Sequence, residues 1–102
     1  MITDIYYDER FDDDYNNTTT FYFVAPKEML NEYIPDANYP DAISMEIAIE
    51  VPTNNIEAQA AGVSVSPTRK EEWGMEDYDW IDVNMPYDLI ETLFVLADVW
   101  KE

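Results

Sequence analysis

The chain has 102 residues and carries 23 acidic against 5 basic side chains, for a net charge of −18. A chain of this length forms one domain, residues 1–102, with a single modest core. Because 47% of its residues are apolar and 15% aromatic, the composition excludes the disordered chains that such a charge would otherwise indicate. Cysteine and histidine are both absent, which excludes disulfides, thiolate metal sites and the commonest general base in catalysis.

The first predicted elements are two strands and a short helix. Residues 2–7 indicate an edge strand, and residues 18–25 indicate a strand rich in β-branched and aromatic side chains. A short helix is predicted over residues 26–33, because Pro26 is tolerated in a first helical turn and Pro35 ends the segment.

The clearest strand pattern lies in the middle of the chain. Residues 43–51 alternate between apolar and polar side chains. Their apolar set, expected on one face, is Ile43, Met45, Ile47, Ile49 and Val51. Residues 59–66 repeat the alternation, and residues 53–55 supply turn-forming side chains between the two runs, so an antiparallel pair is predicted. The apolar set of the second run is Ala61, Val63 and Val65.

The last predicted elements are a strand and the longest helix. Residues 77–83 indicate a strand with Tyr78 and Trp80 on one face. Residues 86–100 indicate a helix with an apolar arc of roughly 160°, wide enough to cover a sheet. The arc contains Leu89, Ile90, Leu93, Phe94, Leu96, Ala97 and Trp100. The predicted fold is α+β: an antiparallel sheet of four to five strands with this C-terminal amphipathic helix packed on one face and one short additional helix.

Two valines of this helix fall on its polar side. Val95 and Val99 lie in the arc that also holds acidic residues such as Asp88. They are either ordinary exposed valines or an apolar contact for a partner or a second subunit, and a contact with a second subunit would make the protein a homodimer. Asp88 near the start of the helix and Lys101 at its end suit the helix dipole.

Acidic and aromatic residues concentrate in residues 71–82, which hold six carboxylates and three aromatic rings. Aromatic side chains dominate the energetics of interfaces and accept stacked guanidinium groups, so this segment is the first candidate partner-binding site. Its candidate residues are Glu71, Glu72, Trp73, Glu76, Asp77, Tyr78, Asp79 and Asp82. A second candidate cluster is Asp12, Asp13 and Asp14. The alternative for both clusters is a solvated acidic surface that keeps the protein soluble.

A calcium loop is the rival interpretation of the second cluster. Asp12, Asp14 and Asn16 match positions 1, 3 and 5 of such a loop. The match then fails, because position 6 is Asn17 instead of glycine and position 12 is Phe23 instead of glutamate. We therefore expect no metal site and no cofactor.

The charge also argues against direct binding to nucleic acid, since that affinity comes largely from basic side chains. Duplex DNA carries one negative charge per about 1.7 Å, so a charge of this size matches roughly 9 base pairs, or about 31 Å of duplex. A globule of this length has a diameter in the low thirties of ångströms, by the usual scaling of its radius of gyration. The two charge densities are similar, which predicts a protein that occupies the basic groove of a nucleic-acid-binding protein.

In size, in its lack of histidine and cysteine and in its charge, the chain resembles the small acidic inhibitors that phages and mobile elements direct at CRISPR or restriction nucleases. The resemblance covers overall character and transfers no residue roles. It implies a DNA mimic without enzymatic activity whose partner is a nuclease effector. The alternative is an acidic protein-interaction or structural domain. The start of the chain has no signal-peptide pattern and no apolar run reaches about 18 residues, so a cytoplasmic protein without membrane contact is expected.

Overall fold

The structure, a computed structural model, describes residues 4–33, 41–71, 74–77 and 80–99; for residues 69–71 and 74–77 it describes the backbone. The strands of this part of the chain are β1 (Tyr6–Asp13), β2 (Thr18–Ala25), β3 (Ala42–Pro52), β4 (Gly62–Glu71), β5 (Gly74–Asp77) and β6 (Ile81–Val83). Its helices are α1 (Leu30–Tyr33) and α2 (Tyr87–Leu96), and 3-10 turns cover Lys27–Met29 and Ala58–Ala60. No helix among these residues is both long enough and apolar enough to cross a bilayer.

The strands form one antiparallel sheet in the order β1-β2-β3-β4-β5, with β6 paired to β4 as well. Strand β3 lies on one side of β4, and both β5 and β6 lie on the other side. Strand β5 pairs with the second half of β4, and β6 pairs with the first half. With α2 at its C-terminal end and the short α1, the chain has the α+β fold that the sequence predicts.

One face of the sheet carries the core. Strand register places Phe21 of β2 opposite Ile49 of β3, and Ile47 of β3 opposite Val65 of β4, and all four side chains are fully buried. Helix α2 covers this face, with the ring of Phe94 edge-on to that of Phe21 at a centroid distance of 5.7 Å. The predicted alternation is thus confirmed from Met45 through Val51 and at Val63 and Val65.

The predicted strand over residues 77–83 is wrong as a single element. The structure has two strands instead, β5 and β6, separated by residues 78–80. Pro67 gives a physical reason, because it lies in β4 between the stretches that pair with β5 and with β6, and proline has no N–H to donate to a neighbouring strand. The predicted edge strand over residues 2–7 is confirmed only at its end, because β1 begins at Tyr6 and runs to Asp13. Residues 4 and 5 are not in a strand, and residues 2 and 3 lie outside the described residues.

Among the described residues, two apolar side chains that the periodicity assigned to the core lie at the surface. Ile43 is 45% exposed because the pairing of β3 with β4 shifts register between Ala42 and Ser44, and Ala42 is buried in its place. Leu96 is 44% exposed and is the last residue of α2, which ends four positions before the predicted boundary. The short helix is confirmed, as a 3-10 turn that continues into α1.

Helix α2 ends in a hydrogen-bonded cap. Asp98 adopts a left-handed conformation with φ of 60°, and its N–H donates to the carbonyl of Val95 at 3.0 Å. The N–H of Val99 donates to the carbonyl of Phe94 at 3.0 Å, which completes a Schellman motif. Val99 consequently turns back, is half-buried and packs against the core, instead of lying on the polar side of a continuing helix. Asp88 lies in the first turn of α2, as predicted.

Candidate functional site

The face of the sheet opposite α2, which we call the open face, carries two rows of side chains that cross neighbouring strands. The register aligns the first row across four strands, in the order Tyr22, Ala48, Ser64 and Asp82. The second row runs beside the first across three strands, in the order Thr20, Glu50 and Gly62. Large side chains thus stand at the end of the first row and small ones in the middle, which leaves a depression over β3 and β4.

A cavity of about 320 Å³ occupies this depression. Its floor is made of small residues on β3 and β4: Ala48, Gly62 and Ser64. Trp80, which immediately precedes β6, reaches back across the face, and its ring meets that of Tyr22 edge-on at a centroid distance of 6.2 Å. The two aromatic rings therefore form a wall of the cavity.

Gly62 keeps the floor of the cavity open. A Cβ atom built at this position would meet no heavy atom within 4 Å. Any larger side chain at residue 62 would therefore extend into the cavity without a clash at its first carbon. The depth of the cavity thus depends on this glycine in β4.

Two carboxylates, Glu50 and Asp82, line the cavity, and both are exposed. Neither carboxylate group accepts a side-chain hydrogen bond or forms an ion pair with another residue in the described part of the chain. Among the described residues that line the cavity, none is basic. The cavity thus combines an aromatic wall with two exposed carboxylates, which favours a cationic group that also presents a flat apolar surface.

Asp13 of the second predicted cluster has a structural role. The turn between β1 and β2 bends around its carboxylate, which accepts hydrogen bonds from the N–H groups of Tyr15 and Asn16 at 3.1 and 3.2 Å and from Nδ2 of Asn16 at 2.7 Å. Hydrogen bonds from the side chain and backbone of Asn16 hold the pKa of Asp13 below its usual value. Asn17 completes the turn with a φ of 55°, which asparagine tolerates better than most residues.

Asp12 is also engaged within the fold, on the face that α2 covers. It accepts a hydrogen bond from the hydroxyl of buried Thr19 at 2.8 Å and from Nε of Arg10 at 3.0 Å. Both hydrogen bonds lower the pKa of Asp12, and the one from Thr19 has the larger effect. The Arg10 guanidinium also lies 5.3 Å from the ring centroid of Phe21, so this cation contacts both a carboxylate and an aromatic ring.

The structure does not unite the two predicted clusters. Asp82 is on β6 and Asp12 and Asp13 are on β1, at opposite edges of the sheet and about 19 Å apart across four strand spacings. Asp14 is exposed in the turn. No group of three or more acidic side chains able to hold a metal ion occurs among the described residues, so these residues give no support to the calcium-loop interpretation.

The remaining candidates of residues 71–82 contribute less to this description. Glu71 ends β4, and Glu76 and Asp77 lie in β5, but their side chains are outside the described part of the structure. The other four candidates, which lie outside the described residues altogether, are Glu72, Trp73, Tyr78 and Asp79.

Sequence reasoning missed Tyr22, Glu50 and Gly62 as site residues. A partial signal exists, because Tyr22 alternates with buried Phe21 and Phe23 and must face away from the core, and Glu50 does the same beside Ile49. The sequence does not state which polar positions of separate strands become neighbours. That depends on strand register, which here brings Glu50 beside Gly62 and Ser64 beside Asp82.

Comparisons of the chain with protein-family models, with curated proteins and with solved structures return no match.

Proposed function

We propose that this protein is an acidic inhibitor that binds the basic nucleic-acid-binding surface of a nuclease or another nucleic-acid enzyme, such as a CRISPR or restriction nuclease. It blocks access of nucleic acid by presenting a charge density like that of the nucleic acid itself. Inhibition of this kind needs no catalytic step, cofactor or direct contact with nucleic acid. The proposal makes the protein a DNA mimic in charge and size.

The observation that carries the proposal is the amount of charge relative to the size of the molecule. A net charge of −18 is borne by a body of 38 × 32 × 21 Å with a radius of gyration of 13.6 Å. The same charge on duplex DNA occupies about 31 Å of axis, at one charge per about 1.7 Å. The long dimensions of the protein are therefore close to the length of duplex that it would replace.

The placement of the acids also supports the proposal. None of the carboxylate side chains for which the structure gives burial is buried; all are exposed or half-buried. The negative charge is therefore available to a partner and would steer a basic protein toward encounter. Self-repulsion opposes the fold, and ion pairs with the lysines and arginines of a partner would relieve it.

Competition with DNA tests the proposal. Purified CRISPR effector nucleases and restriction nucleases are mixed with labelled duplex DNA at about 0.15 M salt, the physiological ionic strength. We expect that, for at least one nuclease, the protein suppresses DNA binding when added first and acts more weakly when DNA is already bound. Inhibition should fall steeply as salt rises. If no nuclease is bound or inhibited at this salt, charge mimicry fails and an acidic interaction domain remains.

A pair of charge-reduced variants locates the binding surface. The first replaces Glu71, Glu72 and Glu76 by Gln and Asp77 by Asn. The matched control removes four exposed acids elsewhere, with Asp4→Asn, Glu28→Gln, Glu32→Gln and Glu57→Gln. We expect the first variant to bind the inhibited nuclease more weakly, with a shallower salt dependence, and the control to bind nearly as well as wild type. Equal losses would mean that total charge acts without a localised site.

A further inference from the structure

We propose that the cavity on the open face binds a guanidinium group, and that an arginine side chain of the basic partner supplies it. This inference rests on the proposed function, since it specifies which side chain of the basic partner the protein binds. It adds a site of defined shape to an interaction that total charge alone would leave unspecific. The arginine would insert between the aromatic wall of Tyr22 and Trp80 and the carboxylates of Glu50 and Asp82.

The aromatic wall supplies attraction that bare charge cannot. A guanidinium group is flat and weakly hydrated, and it stacks on aromatic rings through the negative charge of the ring face. Trp80 is 41% exposed, so binding would remove further indole surface from water. An indole is the strongest side-chain partner for a cation among the aromatic residues.

The two carboxylates are spaced for a group that enters between them. Glu50 lies beside Gly62, Asp82 lies beside Ser64, and Gly62 and Ser64 are two positions apart on one face of β4. The Cα atoms of Glu50 and Asp82 are then about 12 Å apart, from strand spacing and rise per residue. Both side chains extend from the sheet toward the space above the floor, so a bound cation would contact a carboxylate on either side.

Size favours one side chain over a larger ligand. The cavity of about 320 Å³ is at the lower limit for small-molecule sites, which begin near about 300 Å³. Arginine fits better than lysine, because its planar fork pairs with carboxylates while its face stacks on a ring. The protein holds a guanidinium in this way once already, since Arg10 contacts both the Asp12 carboxylate and the Phe21 ring.

Titration of the full chain with small amides tests the site directly. The probes are acetyl-arginine amide, acetyl-lysine amide and the uncharged analogue acetyl-citrulline amide, followed by ¹H–¹⁵N correlation spectra. We expect saturable shifts of the Gly62 and Ser64 amides and of the Trp80 indole N–H with the arginine probe, smaller shifts with lysine and none with citrulline. Uniform shifts over the acidic surface, or equal shifts with lysine, would overturn the proposal.

Filling the cavity separates the pocket from the charge. Gly62→Leu places a side chain over the floor and leaves all charges in place, and it should abolish saturable binding of the arginine probe. Trp80→Leu keeps an apolar side chain and should weaken binding about three- to thirtyfold. The double variant Glu50→Gln/Asp82→Asn should also weaken it, while Glu28→Gln/Glu57→Gln removes the same charge elsewhere and should not. If Gly62→Leu fails to fold, Trp80→Leu decides the outcome.

The same variants distinguish failure of this site from failure of the proposed function. If Gly62→Leu inhibits a nuclease as well as wild type does, the guanidinium site is wrong and charge mimicry stands. If the arginine probe binds but no nuclease is inhibited, mimicry fails and the cavity is a guanidinium site of an acidic interaction domain. Loss of both probe binding and inhibition in Gly62→Leu and Trp80→Leu, with wild-type stability, supports both.

Discussion

The two faces of the sheet are built from the same strands and differ in nearly every other respect. On the face that α2 covers, the central strands present a continuous layer of fully buried apolar side chains, from Phe21 and Phe23 to Val65. On the open face the same strands present threonine, tyrosine, alanine, glutamate and serine around a cavity. The first face supplies the buried core, and the second contributes little apolar surface to it. Substitutions on the covered face should therefore change stability far more than substitutions on the open face.

The largest expected effect comes from the covered face. Phe94→Ala removes a fully buried ring from the contact with Phe21, and it should lower the free energy of unfolding by about 3–5 kcal/mol. The control on the open face, Ser64→Ala, should change stability by less than about 0.5 kcal/mol. Urea denaturation of both variants measures the difference. Similar losses in the two would mean that the open face is also part of the core.

Salt should separate the faces next, because screening acts on exposed charge and hardly at all on buried apolar contacts. The Debye length falls to about 10 Å at 0.1 M salt, so the mutual repulsion of the acids weakens. We expect Tm to rise by several degrees between low and moderate sodium chloride. The rise should be smaller in the four-site variant of Glu71, Glu72, Glu76 and Asp77. A flat or falling Tm would show that the acids do not destabilise the fold.

A single substitution at the C-terminal end of α2, the helix that covers this face, should change stability. Asp98→Gly should stabilise the protein by about 0.5–1 kcal/mol, because glycine adopts the left-handed conformation at no steric cost. It also removes a negative charge from the C-terminal end of the helix dipole. Asp98→Asn removes the charge alone and isolates that part of the gain in thermal unfolding. Destabilisation by Asp98→Gly would contradict the cap.

The smallest effect concerns the turn between β1 and β2. The pKa of Asp13 is lowered in the fold, so its contribution to stability is present above the unfolded value of 3.8 and is lost as pH falls through the folded value. Asp13→Ala should therefore be less stable than wild type at neutral pH, with the difference shrinking below about pH 3.8. Thermal unfolding at several pH values measures it. A difference that is the same at every pH would show that the charge is irrelevant.

Sequence periodicity predicted the covered face well and the open face poorly, for a physical reason. Burial imposes a pattern on each strand separately, so the alternation from Met45 to Val51 is readable without knowing its neighbours. It failed at Ile43, where a register shift changes the pairing, and after Leu96, where the left-handed Asp98 turns the chain back. Neither the register shift nor the left-handed residue alters the alternation of apolar and polar residues in the sequence, so periodicity does not reveal them.

The cavity depends on information that no single strand contains. Tyr22 and Trp80 are 58 positions apart in sequence, and their contact requires the register of three strand pairings and the break before β6. The acidic segment 71–82 was identified from composition, but of its candidates only Asp82 is placed at the cavity by the described side chains. Composition located part of the site, and register supplied its shape.

The order of the strands has a consequence for how the chain folds. From β1 to β5 each strand pairs with the strand that follows it in sequence, so each of these pairings closes only the segment between two successive strands. Short loops cost the least entropy to close and sheets of low contact order form quickly. An unfolded chain with this much negative charge is expanded by its own repulsion, which makes contacts between distant segments rare. A meander is the β-sheet topology that requires the fewest contacts between distant segments of the chain. A strongly acidic chain with this topology can therefore pair its strands before their exposed edges meet those of another molecule.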